Sequence, residues 1–249
     1  ICQQYDDFIV LLAFGAFEEG LLNRIYSIAD EHELLAPDLP LFSDECVDFE
    51  YIEKNADKLK KAYSLLADEQ SKKVFSDQIN YKLSGKIKYL KNSETVKDEV
   101  FSDIFSLSDS ESFLDLGAYD GDTVREFIAA VGGKYRAICA VEPDVKNFRK
   151  LENNTKDIQN CECVNVGIWN NRTTLMFQNL AGRMSSLSLN ENGKKIRPVN
   201  VDTVDNIAQG RDITIIKMDV EGVEKEALIS GKNTLNTLKP KLMVSAYHK

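Results

Sequence analysis

The pattern of apolar residues divides the chain near residue 110 into two parts of different character. In the first part, residues 8–14 form a continuous apolar run, which predicts a buried strand. A helical pattern follows, in which one face carries Leu21, Leu22, Ile25 and Ile28.

After this helix, residues 34–42 contain Pro37 and Pro40 and are predicted to be an extended connector. Amphipathic helices are predicted over residues 51–66, 71–83 and 96–105. We therefore expect residues 1–108 to form a mainly helical region with one leading strand.

The second part alternates strand and helix patterns. Strands are predicted over residues 113–116, 137–141, 161–166, 212–218 and 241–247. Helical patterns fall between most of them, and this alternation is typical of an α/β domain with a parallel sheet and right-handed crossovers.

The segment between residues 166 and 201 breaks this alternation. Short strands are predicted over residues 173–177, 185–189 and 196–201, joined by turns at the polar pairs 170–171 and 192–193. We expect a small β excursion here, after which residues 204–208 resume a helix.

Charge narrows the classes of partner. The 249 residues include 31 Lys and Arg and 40 Asp and Glu, which gives a net charge of −9. The pI is near 4.9. This balance argues against a nucleic-acid binder, which needs a surplus of cations on one face, and against docking on an anionic membrane.

Cysteine usage and hydropathy bear on the compartment. The five cysteines form no disulfide framework and are interpreted as reduced thiols. The longest apolar run, residues 8–17, is too short to span a bilayer, and no basic segment of a signal peptide precedes it. We expect a cytoplasmic protein.

The most informative segment is a strand, a glycine loop and a helix over residues 113–131. Gly117 and Gly121 allow tight turns and close approach of a ligand, and Thr123 with Glu126 is predicted to form a capping box at the helix start. Free N–H groups there favour an anionic group. Tyr119 occupies the position of the middle glycine of the dinucleotide fingerprint, so the match to that fingerprint is incomplete.

Two carboxylates sharpen this interpretation. Asp115, just before the loop, suits a ligand that carries a cationic ammonium or sulfonium. Glu142 follows the second predicted strand and is placed to accept both hydroxyls of a ribose; the alternative is a solvated carboxylate at a strand end. Together they indicate a nucleoside-bearing ligand at the carboxyl edge of the sheet.

These residues resemble a known family. The segment D-L-G-A-Y-D-G-D-T from Asp115 to Thr123 is similar to the first motif of FkbM-family methyltransferases, a branch of the class I S-adenosylmethionine-dependent enzymes. The segment from Ile216 to Glu224 resembles the second hallmark, K-x-D-x-E-G-x-E, and V-D-T-V-D from Val201 to Asp205 also fits.

The resemblance implies a Rossmann-like class I methyltransferase core over residues 109–249, which binds S-adenosylmethionine and follows the mainly helical N-terminal region. The residues that it assigns to the cofactor are Asp115, Gly117, Ala118, Tyr119, Gly121, Thr123, Glu142, Asn165, Val166 and Gly167. It places the methionine moiety against the glycine loop, the ribose on Glu142, and the adenine beside Asn165, Val166 and Gly167.

An alcohol acceptor must lose a proton, and Asp219 and His248 are the candidate catalytic residues at the carboxyl edge. Asp219 and Glu221 could instead hold a divalent cation, although we predict no metal site; the alternative for Glu221 is to cap the following helix. Lys217 is expected to pair with Asp219 or to be an ordinary, partly exposed lysine.

The expected reaction is O-methylation of a sugar or natural-product hydroxyl, so the partner is a small-molecule or saccharide acceptor. The alternatives are a nicotinamide-dependent oxidoreductase and a non-catalytic ligand-binding scaffold with a methyltransferase-like fold.

The helical region has two possible interpretations, a homodimerisation arm or a lid. A complete class I sheet normally has two more strands, so we expect the core to be truncated after its fifth strand.

Overall fold

The computed structural model of the chain describes residues 8–15, 18–37, 47–95, 99–178, 186–187 and 196–246. The chain divides into two compact units, Ile1–Val96 and Lys97–Lys249. Across the described ranges, no helix combines the length and the apolarity that a bilayer crossing requires.

The first unit is built mainly of helices. Its elements are β1 Ile9–Leu11, α1 Glu19–Glu31, β2 Glu33–Leu35, α2 Phe49–Lys54, α3 Ala56–Leu65, α4 Glu69–Ser84 and α5 Ile87–Ser93. Strands β1 and β2 pair in parallel, joined by α1. Its small core is formed by Ile25, Leu34 and Ile87.

Two expectations for this unit are wrong. The apolar run at 8–14 forms a strand of only three residues, and Ile9 and Leu11 are 58% and 65% exposed within the described structure. The helix predicted over 51–66 is divided at Asn55 into α2 and α3. A continuous apolar run and a continuous amphipathic pattern do not report such local breaks, because both depend on tertiary packing.

In the second unit, a π-helical turn at Val100–Ile104 precedes the sheet. The strands of its main sheet are β3 Ser112–Leu116, β4 Ala137–Val141, β5 Cys161–Val164, β10 Ile215–Met218 and β11 Lys241–Val244. The helices are α6 Asp122–Ala130, α7 Val145–Thr155, α8 Val204–Ala208, α9 Glu224–Ser230 and α10 Lys232–Leu238. All neighbouring strands of this sheet pair in parallel.

The strand order is β11-β10-β3-β4-β5. The chain leaves β3 toward one edge of the sheet and returns to β10 on its other side, so the order reverses between these two neighbours. This is the Rossmann-like arrangement, in which ligands bind outside the carboxyl ends of the strands at the point of reversal. The predicted fold class is confirmed.

Side chains alternate between two buried faces of this sheet. Phe113 and Ile215 pack with Phe127 and Leu151 of α6 and α7, whereas the even-numbered positions of β3 and β10, such as Leu116, pack toward the other face. Because both faces are covered, the central strands read as continuous apolar runs rather than alternating ones.

The predicted β excursion is present as a separate sheet. It contains β6 Gly167–Ile168, β7 Thr173–Gln178, β8 Ser186–Leu187 and β9 Ile196–Asp202, in the order β6-β9-β7-β8. Strand β7 is antiparallel to β8 and to β9, while β6 and β9 are parallel. Helix α8 then begins at Val204, as the sequence pattern predicted.

Candidate functional site

The loop after β3 folds back over the end of β4. The backbone N–H groups of Gly117 and Ala118 donate to the Val141 carbonyl at 3.0 and 2.9 Å, and the Gly121 N–H donates to Ala118 at 2.7 Å. Gly117, Tyr119 and Gly121 have φ angles of +86°, +49° and +87°. Glycine adopts this region without strain, whereas the non-glycine Tyr119 does so at an energetic cost.

Gly117 is also required by a close approach of two loops. A Cβ atom at this position would lie 1.9 Å from the carbonyl oxygen of Asp219, which follows β10. The Asp219 N–H donates to the Leu116 carbonyl at 3.0 Å. The two sequence motifs, about 100 residues apart, therefore meet backbone to backbone where the strand order reverses.

Asp115 lies fully buried at the carboxyl end of β3. Within the described structure, neither of its carboxylate oxygens has a hydrogen-bond partner, although the Lys217 Nζ lies 3.1 Å from Oδ1. Burial raises the pKa of Asp115, the Lys217 ammonium acts in the opposite direction, and Asp122 and Asp219 add to the rise. A buried carboxylate without hydrogen bonds, at the root of a ligand-type loop, fits a ligand that brings a positive charge.

Lys217 is not the partly exposed lysine that was one of the two expectations. It is 8% exposed and is the Cα partner of Asp115 across the strand pair. Its Nζ donates to the Gly117 carbonyl at 2.7 Å. The pairing with Asp115 was invisible in the sequence because it depends on β10 lying beside β3.

Glu142 lies beneath the same loop and is 7% exposed, which rules out the alternative of a solvated carboxylate. One carboxylate oxygen accepts from the Tyr119 N–H and the other from the Asp144 N–H, each at 2.9 Å. Burial raises the pKa of Glu142 to about 7, and these backbone hydrogen bonds oppose the rise.

The residues after β5 contact the turn that carries Glu142. The Asn165 side-chain amide donates to the carbonyls of Glu142 and Pro143 at 2.7 and 3.2 Å. Gly167 is buried, and a Cβ there would lie 3.0 Å from the Val201 side chain. Asn165 and Val166 also line a cavity of about 590 Å³ beside the inserted sheet, so this predicted group lies next to Glu142.

The predicted capping box is wrong. Helix α6 begins at Asp122, and within the described structure its N-cap, Gly121, provides no side-chain cap. The Asp122 side chain accepts instead from the Thr123 N–H at 2.8 Å. Because the left-handed Gly121 lets the helix begin two residues earlier, Thr123 lies in the first turn, where it remains beside the loop but does not cap.

Glu221, for which a helix cap was one of the two interpretations, is not the N-cap residue of the following helix, which is Val223. Helix α9 begins at Glu224, and Glu221 has a left-handed φ of +55° in the loop before it. The side chain that ties this loop is Glu224, whose Oε1 accepts from the Val220 and Gly222 N–H groups at 3.2 and 3.3 Å. Glu224 is the last residue of the second sequence motif, K-x-D-x-E-G-x-E. That position was the signal in the sequence from which a role for this residue could have been predicted.

The two candidate catalytic residues fare differently. Asp219 lies directly after β10, half-buried at the carboxyl edge and beside Gly117. His248 lies outside the described residues. In the described ranges, no group of three His, Cys, Asp or Glu side chains is arranged to hold a metal ion.

Comparison with known proteins supports the methyltransferase domain that the two motifs predicted. The family model described as the methyltransferase FkbM domain matches residues 115–249. The crystal structure of methyltransferase FkbM from Methylobacillus flagellatus KT aligns over 97% of this chain with a TM-score of 0.72 and 22% sequence identity. The chain spans 64% of that protein's length.

The crystal structure of an rRNA methylase from Streptococcus thermophilus aligns over 61% of this chain and 70% of its own, with 13% sequence identity. Its TM-score of 0.34 is too low to bear on the fold. Among curated proteins, no sequence matches the chain.

The family match begins at Asp115, the first residue of the glycine-loop motif, and includes the second motif and the inserted sheet. It covers more than half of the 249 residues. The resemblance inferred from the two motifs is thereby confirmed, and the chain belongs to the FkbM methyltransferase domain family.

Proposed function

We propose that this chain is an S-adenosylmethionine-dependent methyltransferase that methylates a hydroxyl oxygen of a saccharide or another hydroxylated small molecule. The observation that carries the proposal is the glycine loop at the reversal of strand order, rooted on the buried Asp115 and hydrogen-bonded to the buried Glu142. This combination of one carboxylate for a cation and one for a diol matches the two ends of the donor.

The residues fit the donor at both ends. Asp115 provides the negative charge for the ammonium of the methionine moiety, and the positive φ of Gly117 and Gly121 keeps side chains away from the loop backbone. Glu142 keeps acceptor capacity on both carboxylate oxygens beyond the backbone bonds that it accepts, which suits two ribose hydroxyls. Asn165, Val166 and Gly167 are assigned to the adenine side.

S-adenosylmethionine, when bound, supplies a methyl group already activated by a sulfonium. The protein's remaining tasks are to align the acceptor oxygen and to remove its proton. We assign the proton removal to Asp219, because its backbone lies against the donor loop and its side chain follows β10 at the carboxyl edge. His248 is the other candidate base and stays a prediction. A divalent cation held by Asp219 and Glu221 is an alternative that we do not favour.

A methyl-transfer assay tests this function. The full chain is incubated with tritiated S-adenosylmethionine and a panel of monosaccharides, glycosides and other hydroxylated small molecules, and label is counted in the acceptor. We expect transfer to at least one hydroxyl. Asp219→Asn should lower kcat by about 100-fold or more while leaving donor affinity within a few-fold, because a general base acts in the chemical step.

The matched control for Asp219→Asn is Asp205→Asn, which removes a carboxylate of the same domain that caps α10 through the Thr234 N–H. Equal losses of kcat in the two variants would contradict the role of Asp219. Donor binding without transfer to any acceptor of the panel would favour the scaffold alternative. Protection by a nicotinamide cofactor rather than by S-adenosylmethionine would favour the oxidoreductase.

A further inference from the structure

Lys217 is a buried cation whose position the proposed chemistry has not used. It lies in the middle of β10, is 8% exposed, and is the one polar residue of that strand. Isolating an ammonium from water costs several kcal/mol unless a partner compensates. A lysine in such a place therefore indicates a specific requirement rather than a solvated surface.

The ammonium has contacts with two parts of the candidate donor site. It lies 3.1 Å from the Asp115 carboxylate and donates to the Gly117 carbonyl at 2.7 Å. One cation thus links the carboxylate under the loop to the first residue of the loop. Gly117 in turn lies against Asp219, so the same contact also sets the distance between the two motifs.

We propose that Lys217 is a positioning residue for the donor: it keeps Asp115 ionised, so that this carboxylate can receive the donor's ammonium, and it holds Gly117 in place. The inference rests on the proposed S-adenosylmethionine site. Lys217 itself contacts neither the transferred methyl group nor the acceptor in this account, so it acts through Asp115 and the loop.

The charges around Asp115 explain why a cation is needed. Asp122 at the start of α6 and Asp219 after β10 both oppose its ionisation, as does burial itself. Lys217 acts against all three, and it also favours ionisation of the nearby Glu142. Removing Lys217 would raise the pKa of the Asp115 carboxyl further, so this group would lose its charge, and its match to the donor's ammonium, at a higher pH than in the wild type.

The test is the affinity for S-adenosylhomocysteine, measured by isothermal titration between pH 5.5 and 9. Lys217→Gln removes the charge but keeps a donor for Gly117, and Lys217→Arg keeps the charge. Losing an opposite charge raises a carboxyl pKa by one unit or more. We therefore expect Lys217→Gln to bind about tenfold more weakly at pH 6 than at pH 9, beyond any change in the wild type, and Lys217→Arg to follow the wild type.

The matched control is Lys241→Gln, which breaks the ion pair between a partly exposed lysine and the buried Glu111 at the amino end of the strands. It should lower stability without changing the pH profile of binding. Asp115→Asn in the Lys217→Gln background should abolish the added pH dependence, which distinguishes titration of Asp115 from titration of Glu142.

Parallel pH profiles in the wild type and Lys217→Gln would overturn the inference, and so would an added dependence that survives Asp115→Asn. If Lys217→Gln does not fold, the neutral pair Asp115→Asn/Lys217→Gln should restore a cooperative unfolding transition; a double variant as unstable as the single one would overturn it too. A wild-type protein that binds no donor would refute the proposed function itself, which is a different outcome.

Discussion

Gly117 and Asp219 approach each other so closely that a Cβ atom on residue 117 would lie 1.9 Å from the Asp219 carbonyl oxygen. The approach joins the loops after β3 and β10, the neighbouring strands between which the order of the sheet reverses. It explains why a glycine stands at this position before any ligand is considered. The same contact brings the candidate base next to the candidate donor loop.

Gly117→Ala should therefore destabilise the protein by about 3 kcal/mol or more, because a left-handed φ and a backbone clash add together. Urea unfolding measures the loss. Gly133→Ala is the control, since Gly133 has a comparable φ of +77° with nothing within 4 Å of the added Cβ, and it should cost only about 1 kcal/mol. Equal costs for the two variants would refute the close approach.

Glu142 should make the wild type less stable as the pH rises. Burial raises its pKa to about 7 in the folded protein, whereas the unfolded chain has a value of about 4.3. The folded state thus binds the proton more tightly, and this contribution, present below about pH 4, is lost as the pH rises through about 7. Relative to Glu142→Gln, the wild-type free energy of unfolding should fall by up to about 3 kcal/mol between pH 4.5 and 8. A pH-independent difference would show that Glu142 has an ordinary pKa.

Glu111 should have the opposite dependence. Burial opposes its ionisation, but hydrogen bonds from Lys241 and Thr214 outweigh burial and lower its pKa to about 2. Its contribution is therefore present above about pH 4.3 and lost as the pH falls toward 2. Relative to Glu111→Gln, the wild type should lose about 2 kcal/mol between pH 5 and 2.5, measured by urea unfolding. An equal acid sensitivity of the two proteins would refute this.

The sequence predicted best the features that depend on local pattern. The inserted sheet and the start of α8 at Val204 follow from alternation and turn residues, and they are found where expected. The two sequence motifs were also sufficient to predict the family. The pairing of Lys217 with Asp115 escaped prediction, because it joins residues whose strands become neighbours only in the folded sheet. The cap at Thr123 failed for a local reason, since the left-handed Gly121 moved the start of the helix.

Glu224 gives a prediction for the loop that carries Asp219. Its carboxylate accepts from the Val220 and Gly222 N–H groups, so Glu224→Ala leaves both donors without this partner and should cost about 1–3 kcal/mol. Methyl transfer should fall more than donor affinity, because the loop positions the base rather than the donor. Lys225→Ala, on an exposed residue of the same helix, should change the free energy of unfolding by less than about 0.5 kcal/mol. A Glu224→Ala variant as stable as Lys225→Ala would contradict a stabilising role for these two hydrogen bonds.

The central claim is that the carboxyl edge of the sheet binds S-adenosylmethionine. Its most direct test is isothermal titration of the wild type, Glu142→Ala and Glu152→Ala with S-adenosylmethionine and S-adenosylhomocysteine at pH 8. Glu152 is an exposed carboxylate on α7 and serves as the control. We predict micromolar binding, about −8 kcal/mol, in the wild type and in Glu152→Ala, and a loss of at least tenfold in Glu142→Ala. No binding by the wild type, or equal binding by all three proteins, would contradict the account.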